Sequence, residues 1–487
     1  MNQPNPTSIE SPHIDDVVIP DRFEALSRIG IDNIGTIIVP VLDMLNEIDS
    51  LHKTMKSSGR GVFMILRGNS GAGKTTFLHT LGLYRENVST ISIAGGEDVP
   101  NFLRDHNTPN TLSIEVIVLE EREAALSFTD EELESWLHAI NGFIRSDRGK
   151  NAMVVWPCNS DKLKDRLVSL SRTIGGRSLL GSKDDAISFP GPSKNTYTEI
   201  ASRTLAVLNQ GAGLSDFGLT AENIDSLAAK ANTVGDFLGD LRDAIIEKQQ
   251  TVSSLLEKEH PNVWVVVIAG NEPDGEVAGL TRGNLSLVDM DRLMTSTEAN
   301  IVQDLKKIPE KLGLLATVLN AKILHLPVLA ATASVRAFSD DRLQDKLKKE
   351  DFALSPKKPE EATNRLQQCE LGSILQLGKQ KTLVRGKKLG DKSITSFVKV
   401  ATVAQQDDAS VNRAIGNALL SAGLIESFNI EVPLSGAYSV RSDMLITGKF
   451  GKARIEMMWR TKTGRADIAN YTLKKLENYG KAIGFIK

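Results

Sequence analysis

Cysteine is nearly absent from this chain of 487 residues, which has only Cys158 and Cys369. Two distant thiols build neither a disulfide framework nor a zinc cluster, and such usage suits a reducing compartment, so a cytoplasmic location is expected. The seven histidines form no metal-type pair; His13, His79 and His260 each stand alone. The N-terminal MNQPNPTSIESPHIDD lacks the basic start and apolar core of a signal peptide. No apolar run approaches the ~18 residues that a membrane helix needs. The longest candidate, VWVVVIAG at 263–270, is strand-length, and no membrane partner is expected.

The remainder is ordinary globular material, with 41% apolar and 24% charged residues. A chain of this length suggests about three structural units. The net charge of −3 is unevenly spread. Residues 371–487 carry 19 Lys and Arg against 9 Asp and Glu, and the rest carries 39 against 52. A basic C-terminal segment on an acidic body fits a part that meets a polyanion, or simply a solvated basic surface.

Strand and helix patterns alternate along the first third. Short, nearly continuous apolar runs at 61–66, 88–93, 113–119 and 152–157 read as strands buried on both faces. Helical patterns at 75–84, 97–106 and 130–145 separate them, which predicts a parallel sheet with helices on both faces. After about residue 161 the chain reads as mostly helical, with one further strand at 263–269. The segment SPKKPEE, at 355–361, has the composition of a linker. Beyond it the order is helix (408–422), strands (428–432, 442–446, 453–459), helix (466–483) and a last short strand at 484–487. The expected organisation is a disordered tail (1–20), an α/β core (21–160), a helical middle (161–350), a linker (351–365) and a smaller α/β domain (366–487).

One motif carries chemistry directly. Gly68-Asn69-Ser70-Gly71-Ala72-Gly73-Lys74-Thr75 fits G-x-x-x-x-G-K-[ST], placed after a buried strand and at the start of a helix. The glycines let the backbone close tightly around phosphate. The loop amides and the helix N-terminus then favour an anion. Lys74 is expected to reach the outer phosphates and Thr75 to hold Mg²⁺, with Thr76 alongside, so ATP and Mg²⁺ are the expected ligands. The strand at 113–119 delivers Glu120, Glu121 and Glu123 to the same sheet edge. Glu120 is expected near the metal and Glu121 beside the attacking water.

With Asn159 following the fourth strand, this part of the chain resembles the additional-strand P-loop ATPases, the AAA+ and STAND group. The resemblance covers residues 60 to about 260. It implies that Asn159 senses the terminal phosphate, that 194–258 form a lid, and that an arginine finger exists, for which Arg282 and Arg292 are candidates.

The C-terminal order of elements resembles the core of the PD-(D/E)xK, restriction-endonuclease-like nucleases. That resemblance implies a metal site at Asp443 and Glu456. The family's lysine would fall at Met458, and Arg460 lies on the face of Glu456 as a possible substitute. An active nuclease, an inactive DNA-gripping or oligomerising module, and an unrelated α/β domain stay open. The expected function is an ATPase that couples nucleotide state to a DNA-directed domain, an architecture that resembles anti-phage defence proteins, as a homo-oligomer or with a partner subunit. The alternative is a STAND-like signalling ATPase with a partner-binding C-terminal domain.

Overall fold

The computed structural model describes residues 17–28, 31–124, 128–180, 185–256, 262–380, 389–434 and 437–487. The tail expected at 1–20 lies outside the described residues as far as 16. No described helix is long and apolar enough to cross a membrane. The chain is α/β and divides into two compact units. One comprises Ile19–Val207 and Ala221–Asp243; the other comprises Met1–Val18, Leu208–Thr220 and Ala244–Lys487.

The first unit is built on five parallel strands: β1 (Val62–Arg67), β2 (Val88–Ile93), β3 (Ile114–Leu119), β4 (Ala152–Cys158) and β5 (Ile187–Ser188). Their order across the sheet is β2-β3-β4-β1-β5. β4 therefore lies between β1 and β3, bonded in register from Val62↔Met153 to Arg67↔Cys158. The strands read as continuous apolar runs because each face has its own cover. Phe63, Ile65, Val154 and Trp156 pack into one core with Leu133 and Leu137. Their alternates Met64, Leu66, Met153 and Val155 pack into the other with Ile48, Phe77 and Leu78. A short helix, α1 (Phe23–Ser27), precedes the sheet, and α2 (Lys74–His79) follows β1 directly after the glycine-rich loop.

The second unit holds a mixed sheet of seven strands. These are β6 (Asn262–Ala269), β7 (Thr281–Arg282), β8 (Leu287–Val288), β9 (Lys322–His325), β10 (Ser427–Leu434), β11 (Ala437–Gly448) and β12 (Gly451–Arg460). Their order is β10-β11-β12-β6-β9-β8-β7. β6 runs parallel to both β12 and β9, and Val266, Val267 and Ile268 are fully buried there. Helix α3 (Asp408–Ser421) packs on one face through Ala414, Ile415 and Ala418. Helix α4 (Arg465–Ala482) packs on the other through Ile468, Leu473 and Leu476.

This division differs from the expectation. The strand at 263–269 joins the C-terminal strands in one sheet, so the middle region and residues 366–487 share cores. Residues 351–365 mark no boundary, because Phe352, Leu366, Cys369 and Leu371 are buried in the same core as Trp264 and Trp459. Pro359 opens a helix, Pro359–Gln368, at its first turn, where a missing N–H costs nothing. Residues 484–487 form no strand, and the place beside β12 is taken by β6.

Candidate functional site

In the first unit, β1 ends at Arg67 and the chain turns through six residues into α2. Gly71 and Gly73 have φ of 79° and 94°, which disfavour any side chain. A Cβ on Gly71 would also lie 2.8 Å from Thr233 Oγ1. The Gly71 carbonyl accepts a bond from Gly235 N (2.9 Å), which fixes the loop from the side.

Lys74 is the centre of the site. Its side chain is only 6% exposed. Its ammonium donates to Gly68 O (2.8 Å), Asn69 O (2.9 Å) and Asn159 Oδ1 (2.7 Å). Burial draws its pKa down to about 8, with the Glu123 carboxylate acting in the other direction. Asn159 reaches Lys74 because β4 lies beside β1 and Asn159 follows its last residue, Cys158. Ser70, Gly71, Gly73, Thr75 and Thr76 line the same cavity. Asn69 contributes its carbonyl to Lys74, and Ala72 N closes a turn onto Asn69 O. Val39, Val41, Ile200 and Leu238 add an apolar part to the lining of the same cavity.

The acids after β3 are arranged differently from the sequence expectation. Glu120 turns to α2, where His79 Nε2 lies 2.7 Å from its carboxylate, and that bond lowers its pKa. Glu121 adopts a left-handed backbone (φ 57°) and lays its carboxylate against Gly95. Arg122 is buried and donates to the carbonyls of Ile93, Gly95, Glu97 and Glu120. This anchor sends the next acid, Glu123, to the cavity beside Lys74 and Asn159. The Glu123 carbonyl accepts Asn159 N (3.1 Å), and burial raises its carboxyl pKa. Glu123 stood among the acids read from the sequence but received no role, because its approach to Lys74 depends on the turn at Glu121, which no spacing rule reveals. The thiol Cys158 is fully buried and its pKa is pushed up to about 12, so it is chemically quiet.

Arg282 and Arg292 both lie in the second unit. Arg282 is buried beside Asp216 (3.3 Å) and donates to Asn209 O and Val288 O. Arg292 pairs with Asp289 (3.0 Å) and donates to Thr281 O. Both are committed to local structure.

The second unit brings Asp443 and Glu456 onto neighbouring strands, with Met444 paired to Ile455 in the adjoining register position. Glu456 is fully buried, and its two oxygens take Lys475 Nζ and Tyr479 OH (2.8 Å), both from α4. Lys475, not Arg460, is thus the cation at Glu456. Arg460 is exposed and donates to Trp459 O (2.8 Å), and Met458 is core. Burial opposes the charge on Lys475, yet Glu456, Tyr471 and Asp443 hold its pKa above the ordinary lysine range. Asp443 Oδ2 accepts Met457 N (2.6 Å). Asp443 also lies with Asp408 and Glu431 in a group whose oxygens fall within 4.8 Å of one another, the donor set of a hard cation. The expected metal pair therefore separates: Glu456 is taken by α4, and Asp443 faces Asp408 and Glu431.

No protein-family model matches the chain, and no curated protein matches it.

Burial, and then the Glu456 carboxylate, push Asp443 up to about 7 from an ordinary value near 4. A carboxyl raised on folding contributes stability below pH ~4 that is lost as pH rises through ~7. Asp443→Asn keeps the acceptor for Met457 and removes the titration. Denaturant unfolding should find the variant and wild type alike near pH 4, and the variant more stable by about 1–3 kcal/mol at pH 8. Equal stability at both pH values would contradict the assignment.

Proposed function

We propose that the first unit binds ATP with Mg²⁺ at residues 68–75 and hydrolyses it. The observation that carries this reading is the convergence of the Lys74 ammonium, the Asn159 amide and a glycine-turned loop on one cavity. A buried amine bound only to neutral oxygens favours an anion. The α2 N-terminus adds its positive end. Asn159 holds Lys74 and would meet the outer phosphate of a bound nucleotide. The Thr75 hydroxyl is an oxygen donor of the kind Mg²⁺ takes, so the loop fits the ion, which would neutralise charge on the outer phosphates. The apolar part of the lining suits the flat face of a base.

In hydrolysis, a water oxygen bonds to the γ-phosphorus as the bond to the β–γ bridging oxygen breaks. The electron pair stays on the diphosphate, and the water proton passes through Glu123 to solvent. Glu123, half-buried with a raised pKa, takes the role first expected of Glu121. This reading places the protein in the cytoplasm, where ATP is available.

Substitution separates the two acids. Lys74→Ala should abolish nucleotide binding in a calorimetric titration. Glu123→Gln should keep binding and slow phosphate release by ~10²-fold or more, whereas Glu121→Gln should stay near wild type. The reverse pattern returns the role to Glu121.

A second reading concerns the other unit, and the observation favouring it is the placement of Lys475. We propose that its C-terminal strands engage DNA, with Asp443 on the phosphodiester side and Lys475, held in place by Glu456 and Tyr479, supplying the cation that Met458 cannot. Nucleotide state would then govern cutting or gripping, as in a defence system, with a second copy or a partner subunit completing the assembly. The alternative is a STAND-like module that recruits a partner without chemistry. Plasmid incubated with protein, ATP and Mg²⁺ or Mn²⁺ should be nicked by wild type and spared by Asp443→Ala/Glu456→Ala. A salt-sensitive DNA shift without nicking supports gripping alone, and neither effect supports the partner-recruiting module.

A further inference from the structure

We infer that Arg22 is a second phosphate-binding cation, meeting the terminal phosphate from the segment that precedes the sheet. The inference rests on the reading of residues 68–75 as a triphosphate cradle.

Among the described residues only two cations line the cavity, Lys74 and Arg22, against three acids, Asp21, Glu24 and Glu123. A triphosphate is densely anionic, and Mg²⁺ with one ammonium still leaves net negative charge in a cavity that holds three carboxylates. Arg22 is exposed, and its one side-chain hydrogen bond among the described residues runs from Nη1 to Ser70 Oγ at 3.2 Å. A neutral hydroxyl at that distance is a weak partner, and the remaining donors of the fork are left for an incoming group. Ser70 directly follows Asn69, whose carbonyl takes Lys74 Nζ (2.9 Å). Arg22 and Lys74 therefore address the same end of the loop, the end where the outer phosphate sits on this reading. A guanidinium fork suits phosphate in a way that a point charge does not.

The backbone around Arg22 is anchored while its head group stays available. Phe23 stacks on His79 with ring centroids 4.7 Å apart and planes 19° from parallel. Leu26 is buried and its N–H returns to Arg22 O (3.2 Å). Asp21 lies 3.7 Å from Arg242. Neighbouring arginines are taken: Arg67 by Asp161 (3.0 Å) and Arg85 by Asp49 (2.7 Å).

The bland alternative is that Arg22 merely fastens the segment to the loop. Fastening would affect every nucleotide alike, whereas a terminal-phosphate contact discriminates triphosphate from diphosphate. The test titrates ATP and ADP, each with Mg²⁺, into wild type, Arg22→Ala, Arg22→Lys and Arg242→Ala, with melting curves to confirm folding. Arg22→Ala should weaken ATP ~10-fold or more and ADP less than ~2-fold. Arg22→Lys should recover part of the loss, keeping charge but not the fork. Arg242→Ala loosens the same segment and should leave the ATP-to-ADP ratio as it is in wild type. Equal losses for both nucleotides in Arg22→Ala, or no loss, overturn the inference while the cradle stands. Wild type that takes up neither nucleotide removes the cradle and the inference together.

Discussion

A single buried ammonium organises the first unit. Lys74 is enclosed by the loop that precedes it, and its charge is tolerated only because three oxygens meet it: two from the loop backbone and one from Asn159. Each of those oxygens is placed by something larger. The loop carbonyls depend on glycines in conformations that side chains disfavour. Asn159 depends on β4 lying beside β1, a property of the whole sheet. Moving β4 by one place would leave the amine short of a partner, so the strand order and the site are one constraint.

The same logic explains the acids. Arg122 is buried in the loop after β3 and satisfies four carbonyls there. With the backbone pinned at that point, Glu121 turns out to Gly95 and Glu123 turns in to Lys74. Glu120 is drawn instead to His79, which Phe23 covers. Three glutamates within four positions thus acquire three environments, and the proposed chemistry falls to the one that burial and the Lys74 charge single out. In the second unit a comparable division occurs. Glu456 is closed off by Lys475 and Tyr479, while Asp443 remains beside Asp408 and Glu431.

Much of the first unit was legible because its signals are local. Strands covered on both faces show as unbroken apolar runs, and the loop at 68–75 sits between such a strand and a helix. Asn159 was legible through chain order. What stayed hidden was non-local. Nothing in VWVVVIAG tells that β6 pairs with β12, which lies nearly two hundred positions on. The proline-rich stretch near 355 has a linker's composition, yet Phe352 and Leu366 on either side of it are core. Lys475 could not be assigned to Glu456 from spacing, because helix α4 supplies it from the far side of a turn. Glu123 was in view among the acids after β3, but one left-handed residue, Glu121, hid its role.

Lys74 is the group on which nucleotide binding depends most directly. An amine whose pKa burial has drawn down to about 8 should be driven back to full charge by a bound polyphosphate. Calorimetric titration of MgATP at pH 8, in two buffers of different ionisation enthalpy, reads this directly. Binding should be accompanied by net proton uptake at pH 8, and Lys74→Arg, which keeps the charge at every pH, should remove that uptake. Binding with no proton uptake at pH 8 would contradict the buried-amine cradle, and no binding at all would contradict the nucleotide site itself.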